Sequence, residues 1–184
     1  MTSDLDVDFD PHARFKEVPS FTLASDDIVH GLPLKPAQYA KAAGGGDASP
    51  QLTWSDAPEG TKSYAVTCYD PDAPTGSGYW HWAVFNIPAS VTSLAAGAGA
   101  PGGAGLPEGA VTLPNESRHP FFEGANPPDG TGTHRYLFIV HAVDVETLDI
   151  DPSSSPAILG FNLRFHGLAR AQLTGTAVFG GAEG

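Results

Sequence analysis

The chain has 184 residues, with nine lysines and arginines against twenty-one aspartates and glutamates, for a net charge of −12. That field repels a phosphate backbone and an anionic bilayer surface alike, so it argues against nucleic-acid binding and leaves any anion to be held by local donors. The single cysteine, Cys68, excludes an intramolecular disulfide, and no apolar run approaches the roughly 20 residues of a membrane-spanning helix. The expectation is a cytoplasmic protein with no stable membrane insertion, long enough to bury a core in one domain.

Residues 1–20 are acidic, lack the apolar core of a signal peptide, and read as a weakly ordered leader that Phe15 and Val18 tack down, ahead of a single domain over 21–184. Phe21-Thr22-Leu23 and Leu52-Thr53-Trp54 alternate as short strands, with the loop Ala42-Ala43-Gly44-Gly45-Gly46-Asp47 between them. Ala57-Pro58-Glu59-Gly60-Thr61 is a turn by its Pro and Gly. Residues 63–69, 79–87 and 136–145 are strands rich in β-branched and aromatic side chains, apolar on both faces as in the centre of a sandwich. Residues 95–109 are mostly Ala, Gly and Pro and read as a mobile loop with little to pack.

One helix is predicted, over 155–171. Ser154 or Ser155 caps it, Pro156 suits its first position, and Ala157, Phe161, Phe165 and Leu168 form its apolar stripe. Gly160 and Gly167 weaken it, so it leans on tertiary packing. Strand character returns over 173–179. Many strands with one late helix make a mostly-β sandwich.

Three segments carry chemistry. In Asp70-Pro71-Asp72-Ala73-Pro74 two prolines stiffen a loop and hold two carboxylates at fixed positions, with the Ala73–Pro74 peptide open to either isomer. In Trp80-His81-Trp82, alternation puts His81 on the face opposite both tryptophans, with Ala83 and Phe85, near a strand start where it can reach a pocket rim. In Pro127-Pro128-Asp129-Gly130-Thr131-Gly132-Thr133-His134-Arg135-Tyr136 the glycines let backbone N–H groups approach an anion. His134 and Tyr136 share one face there, and Arg135, on the other, can brace the Asp loop through a bidentate contact. Each segment also has a plain reading: a solvated proline-rich turn, a core histidine, a glycine-rich hairpin. Trp54, Trp80, Trp82 and His141 read as structural, His12 and His30 carry no signal, and His166 on the late helix is a candidate to approach the pocket.

Taken together, and flanked by Ser-Pro-Gln-Leu-Thr-Trp and by Thr-Gly-Ser-Gly after the Asp loop, these motifs resemble the phosphatidylethanolamine-binding protein (PEBP) family in its bacterial, Raf-kinase-inhibitor-like branch, from about residue 21 to 179. The resemblance implies a two-sheet antiparallel β-sandwich with one late peripheral helix and a small anion pocket. It implies a regulatory, non-catalytic protein that takes phosphate-type groups such as phosphoethanolamine or phospholipid head groups, with no cofactor and no metal. Carried over residue by residue, it assigns ligand contact to Asp70, His81, Pro127, Pro128, His134 and Tyr136. Asp72, Pro74, Asn126 and Arg135 shape the loops around them. Asn126 departs from the Gly or Cys common there, adding an amide that narrows the mouth or donates to the anion. Without the longer C-terminal helix of eukaryotic members, the pocket is expected to be more open, or covered by a partner subunit in a homodimer. Two alternatives stand beside this. One is a metal-assisted or acid/base hydrolase using the Asp/His pocket, though neither His-Glu-x-x-His nor Gly-x-Ser-x-Gly occurs. The other is a kinase or protease inhibitor acting through a protein partner.

Overall fold

Side chains that favour a pleated, half-buried backbone concentrate in three central strands, and the rest of the fold is arranged around them. The computed structural model describes residues 5–183. Its strands are β1 (Thr22–Ala24), β2 (Leu52–Ser55), β3 (Ser63–Asp70), β4 (Tyr79–Pro88), β5 (Ser93–Leu94), β6 (Val111–Thr112), β7 (His134–Val143) and β8 (Gly167–Ala177), with helix α1 (Pro156–His166) directly before β8. They pair antiparallel into a three-stranded sheet, β1-β2-β5, and a five-stranded sheet, β6-β4-β3-β7-β8. All peptide bonds of the described residues are trans, Ala73–Pro74 included.

The large sheet is covered on both faces, so its inner strands are apolar throughout instead of alternating with polar residues. Val66 and Cys68 of β3 and Tyr136, Phe138 and Val140 of β7 pack toward Leu52 and Trp54 of the small sheet. Ala65, Ala83 and Phe85 turn the other way, onto Leu159 and Leu163 of α1. Trp54 and Trp82 are fully buried, while Trp80 packs against the Tyr69 ring at 4.5 Å.

The helix departs from expectation in two ways. It stops at His166, five residues early, and the chain runs straight into β8, which begins at Gly167, well before the expected 173. A Cβ on Gly167 would lie 2.6 Å from the Leu163 carbonyl oxygen, so glycine permits the abrupt switch from helix to strand. The stripe expected inward is also the wrong one. Leu159 and Leu163 are buried, whereas Phe161 and Phe165 are 63 % and 65 % exposed. Both sets recur at helical spacing, and periodicity alone cannot choose between them.

Residues 95–109 pack more closely than their composition suggests. Ala98 is buried, and a Cβ on Gly99 would meet Phe122 at 2.8 Å and the Trp82 ring at 2.9 Å. The small side chains are what lets this loop lie on the core. Residues 5–20 form no helix or strand and run along β8 and β7. Arg170 pairs with Asp10 at 2.6 Å, the Thr174 hydroxyl donates to the Val7 carbonyl at 2.7 Å, and the buried His12 ring lies 5.1 Å from that of His141. His166 pairs with Asp144 at 2.8 Å, at the end of α1, and does not line the pocket described below. Among the described residues, no helix is long and apolar enough to cross a membrane.

Candidate functional site

Antiparallel pairing brings the end of β3 beside the starts of β4 and β7, and the polar residues at those three points meet. Asp70, the last residue of β3, is 2 % exposed. Its Oδ1 accepts the backbone N–H groups of Asp72 (2.8 Å) and Ala73 (3.0 Å), folding the proline loop back on itself. Its Oδ2 lies 2.7 Å from Nδ1 of the fully buried His134. The other ring nitrogen of His134 is 2.8 Å from the Thr131 hydroxyl oxygen, which is itself 2.7 Å from the Pro128 carbonyl. Both nitrogens of His134 are therefore taken up by the protein.

Arg135 points away from this cluster and braces the loop from behind. Its backbone N–H and Nε donate to Asp72 Oδ2 and its Nη2 to Oδ1, each at 2.8 Å. Its guanidinium also reaches the Asp6 carbonyl (2.9 Å) and lies 4.8 Å from the centre of the Phe9 ring. Burial raises the Asp72 pKa, but the hydrogen bonds and charge of Arg135 outweigh it and hold the carboxyl below its ordinary value.

His81 reaches the site through an irregularity in β4. The β3–β4 register steps from Cys68↔Trp82 to Tyr69↔Trp80, so His81 is skipped as a β-bulge. A bulge adds one residue and re-aims its side chain. The His81 ring consequently lies 5.0 Å from that of Tyr136 and 4.7 Å from that of Tyr79. It does not share a side with Ala83 and Phe85, and strict alternation fails at this residue. The His81 Nδ1 is 2.9 Å from the Glu123 carbonyl, which only accepts, so Nδ1 carries the proton. Burial pushes the His81 pKa down, against the pull of the Asp70 charge, of the Glu123 carbonyl and carboxylate, and of the Gly124 backbone. The ring is thus neutral near pH 7, and among the described residues its Nε2 has no protein partner. Burial, reinforced by the Asp70 carboxylate, pushes the Tyr136 phenol up, so it stays protonated.

These groups line a cavity of about 550 Å³. Asp70, Pro74, His81, Asn126, Pro127, Pro128, His134 and Tyr136 all border it, whereas Asp72 and Arg135 do not. Sequence reasoning missed the opposite wall, formed by Tyr79, Ser117, His119, Phe121 and Glu123. There the Glu123 carboxylate accepts from the Tyr79 hydroxyl (3.1 Å) and pairs with His119 Nδ1 (2.8 Å), and the His119 ring stacks on Phe121 at 4.9 Å. Asn115 staples this wall by accepting from the His119 N–H and donating to the Phe121 carbonyl. Its anchor is Gly124, whose N–H donates to Asp47 at 2.8 Å and whose Cβ would fall 2.3 Å from the Tyr39 carbonyl carbon. Among the described residues, no lysine or arginine borders the cavity, while Asp47, Asp70 and Glu123 do. Among the described residues, no group of three or more His, Cys, Asp or Glu side chains is placed to hold a metal ion.

Fold and site together define a two-sheet β protein with a built pocket where its central strands end. The chain belongs to the phosphatidylethanolamine-binding protein family, whose sequence model matches residues 24–179. It is similar to the UPF0098 protein YbhB of Escherichia coli, 46 % identical over 154 residues, 83 % of this chain and 96 % of that protein. The crystal structure of E. coli YbcL, described as a member of the mammalian PEBP family, superimposes with a TM-score of 0.82 at 46 % identity, covering 85 % of this chain and 97 % of that one. A PEBP homologue from Chlamydia trachomatis gives a TM-score of 0.71 at 29 % identity, over 86 % and 97 % of the two chains.

Proposed function

We propose that the protein is a non-catalytic binding protein, taking a small zwitterionic phosphate ester in the cavity where β3, β4 and β7 converge. The ester is phosphoethanolamine or a phospholipid head group. The observation that carries this is Nε2 of His81, which has no hydrogen-bond partner among the described residues of the protein. In the same cavity Asp70, His134 and the half-buried Glu123 are already paired, so that the buried Tyr136 phenol is the other polar group left to meet a ligand. An arriving phosphate ester draws a proton onto Nε2, and the imidazolium then neutralises the anion. Asp70 and Glu123 disfavour a bare phosphate and favour a ligand that brings its own ammonium group. Asn126 and Ser117 add neutral donors at the mouth. The family takes its name from phosphatidylethanolamine, which ends in such a head group.

Calorimetry at pH 6 tests this with phosphoethanolamine, inorganic phosphate and ethanolamine. Phosphoethanolamine is expected to bind more tightly than either fragment, and His81→Gln to weaken it at least tenfold, the loss of one charge-assisted hydrogen bond. Equal affinity for phosphate and phosphoethanolamine would remove the ammonium from the account, and an unchanged His81→Gln variant would remove the imidazole.

A second function, hydrolysis, is favoured by one observation. Asp70, His134 and Thr131 stand in the order carboxylate, imidazole, hydroxyl at 2.7 Å and 2.8 Å, the spacing of a nucleophilic triad. Against it, the Thr131 hydroxyl is directed at the Pro128 carbonyl and does not border the cavity. Turnover of p-nitrophenyl acetate that disappears in Thr131→Val would establish hydrolysis.

A further inference from the structure

Residues 5–16 lie on β7 and β8, and their hold on the sheet is polar. Arg135 Nη1, the Thr174 hydroxyl and Gln172 Nε2 donate to the carbonyls of Asp6, Val7 and Phe9 at 2.9, 2.7 and 3.0 Å, and Arg170 pairs with Asp10. Among the described residues, the backbone-to-backbone hydrogen bonds of this segment all stay within it. Of its side chains only His12 is buried, so an ionisable ring stands where an apolar anchor would hold more simply. That ring meets the buried His141 of β7 edge to face, and the Thr67 hydroxyl of β3 lies 3.5 Å from His141 Nε2. His12 Nδ1 makes no hydrogen bond, the nearest Asp10 oxygen being 3.5 Å away. Lys16 of the segment, Arg164 of α1 and Arg170 of β8 line the same crevice, with Asp10 the one acid beside the ring. A proton on either imidazole would thus be buried among three cations and one carboxylate.

We propose that residues 5–16 are an acid-released strap, and that its release reaches the ligand cavity through Arg135. While the strap is docked both rings stay neutral: burial first, then the neighbouring positive charges, lower the His12 pKa to about 4 and push that of His141 well below its ordinary value. Once the strap lifts, both rings meet water and take up protons in the ordinary histidine range, near pH 6.5. Docking is therefore favoured above that range and lost as the pH falls through it. For two protons each pH unit multiplies the ratio of released to docked strap about a hundredfold, against about tenfold for one. A segment held by side-chain contacts and one buried ring opens before the apolar strands beneath it. The Arg135 guanidinium carries the effect onward, because the Asp6 carbonyl and the Phe9 ring hold it from the strap side and Asp72 from the loop side. Release removes the first two and leaves the Asp72 fork alone to brace the Asp70–Pro74 loop.

Amide NMR of the full chain, titrated from about pH 7 to about pH 4, reads strap and sheet separately across the histidine range. Resonances of residues 5–16 are expected to move to random-coil positions while those of β3, β4 and β7 stay dispersed. The logarithm of the released-to-docked ratio is expected to rise with a slope approaching two per pH unit, and the Asp72 and Ala73 amides to shift with the same midpoint. His12→Phe keeps a ring of similar shape that takes no proton, and is expected to halve the slope and lower the midpoint. His141→Gln, which removes the other proton and can still bond Thr67, is expected to do the same. A strap that stays docked throughout, or leaves only together with the sheet, overturns the release. An unchanged slope and midpoint in both variants overturns the imidazole trigger. Asp72 and Ala73 amides that stay in place as the strap leaves overturn the link to the cavity.

Discussion

Asp70 holds the candidate site together through three hydrogen bonds, and two substitutions separate its charge from its acceptor geometry. Asp70→Ala strands the N–H groups of Asp72 and Ala73 and leaves Nδ1 of the fully buried His134 without a partner. Breaking a buried pair of this kind costs about 3–5 kcal/mol. Asp70→Asn keeps the oxygen that the two N–H groups use and puts an amide NH₂ where Oδ2 stood. His134 can answer with Nδ1 accepting from the amide, while Nε2–H donates to the Thr131 oxygen and the Thr131 proton stays on the Pro128 carbonyl. Every partner survives, so the expected cost is only ~1–2 kcal/mol, the charge-assisted part of the bond. Urea unfolding at pH 7, followed by the fluorescence of the buried Trp54 and Trp82, measures both variants. An Asn variant as unstable as the Ala variant would show that charge, not hydrogen-bond inventory, holds the loop. An Ala variant within 1 kcal/mol of the wild type would refute the structural role altogether.

His12 gives a pH-dependent prediction. Burial, aided by the Arg170 charge and opposed by Asp10, lowers its pKa from 6.5 to about 4. Between those values the unfolded chain takes up a proton that the folded chain refuses, so the His12 contribution is fully present above pH 6.5. About 3 kcal/mol is lost as the pH falls to 4. His12→Phe is expected to flatten that part of the stability curve, and an unchanged slope would show that His12 is not its source. Arg135→Lys replaces a fork that spans both Asp72 oxygens with a single ammonium and is expected to cost ~1–2 kcal/mol in urea unfolding, whereas an undisturbed midpoint would mean the fork is dispensable. Gly124→Ala drives a methyl group into the Tyr39 backbone and is expected to loosen residues 117–124, read as faster amide exchange there; unaltered exchange would show that this wall does not depend on the close contact.

What the chain discloses before folding depends on how local the determining interaction is. Central strands β3, β4 and β7 announce themselves because β-branched and aromatic residues are dense in them. The Asp70 loop and the His134 strand announce themselves by proline and glycine patterns a few residues long. The His81 bulge does not, because period-two reasoning assumes the regular register that the bulge breaks. The buried face of α1 is hidden for a related reason: Leu159 and Leu163 repeat as Phe161 and Phe165 do, and only the shape of the sheet beneath chooses the leucines. The missed wall over 117–124 has no periodicity at all. It is held by Asp47, 77 residues from Gly124 in sequence, and by a glycine fitted against Tyr39. The two-residue strands β5 and β6 are too short to carry a pattern.

The central claim is that Nε2 of His81 is the group that receives the ligand, and it can be observed directly. Nitrogen-15 NMR of the histidine rings, recorded at pH 7 while phosphoethanolamine is added, reports each ring nitrogen separately. His81 Nε2 is expected to move from an unprotonated to a protonated resonance while Nδ1–H stays on the Glu123 carbonyl, and His134, both of whose nitrogens are already bonded, is expected to change little. A titration that shifts His134 or His119 and leaves His81 Nε2 unprotonated would contradict it.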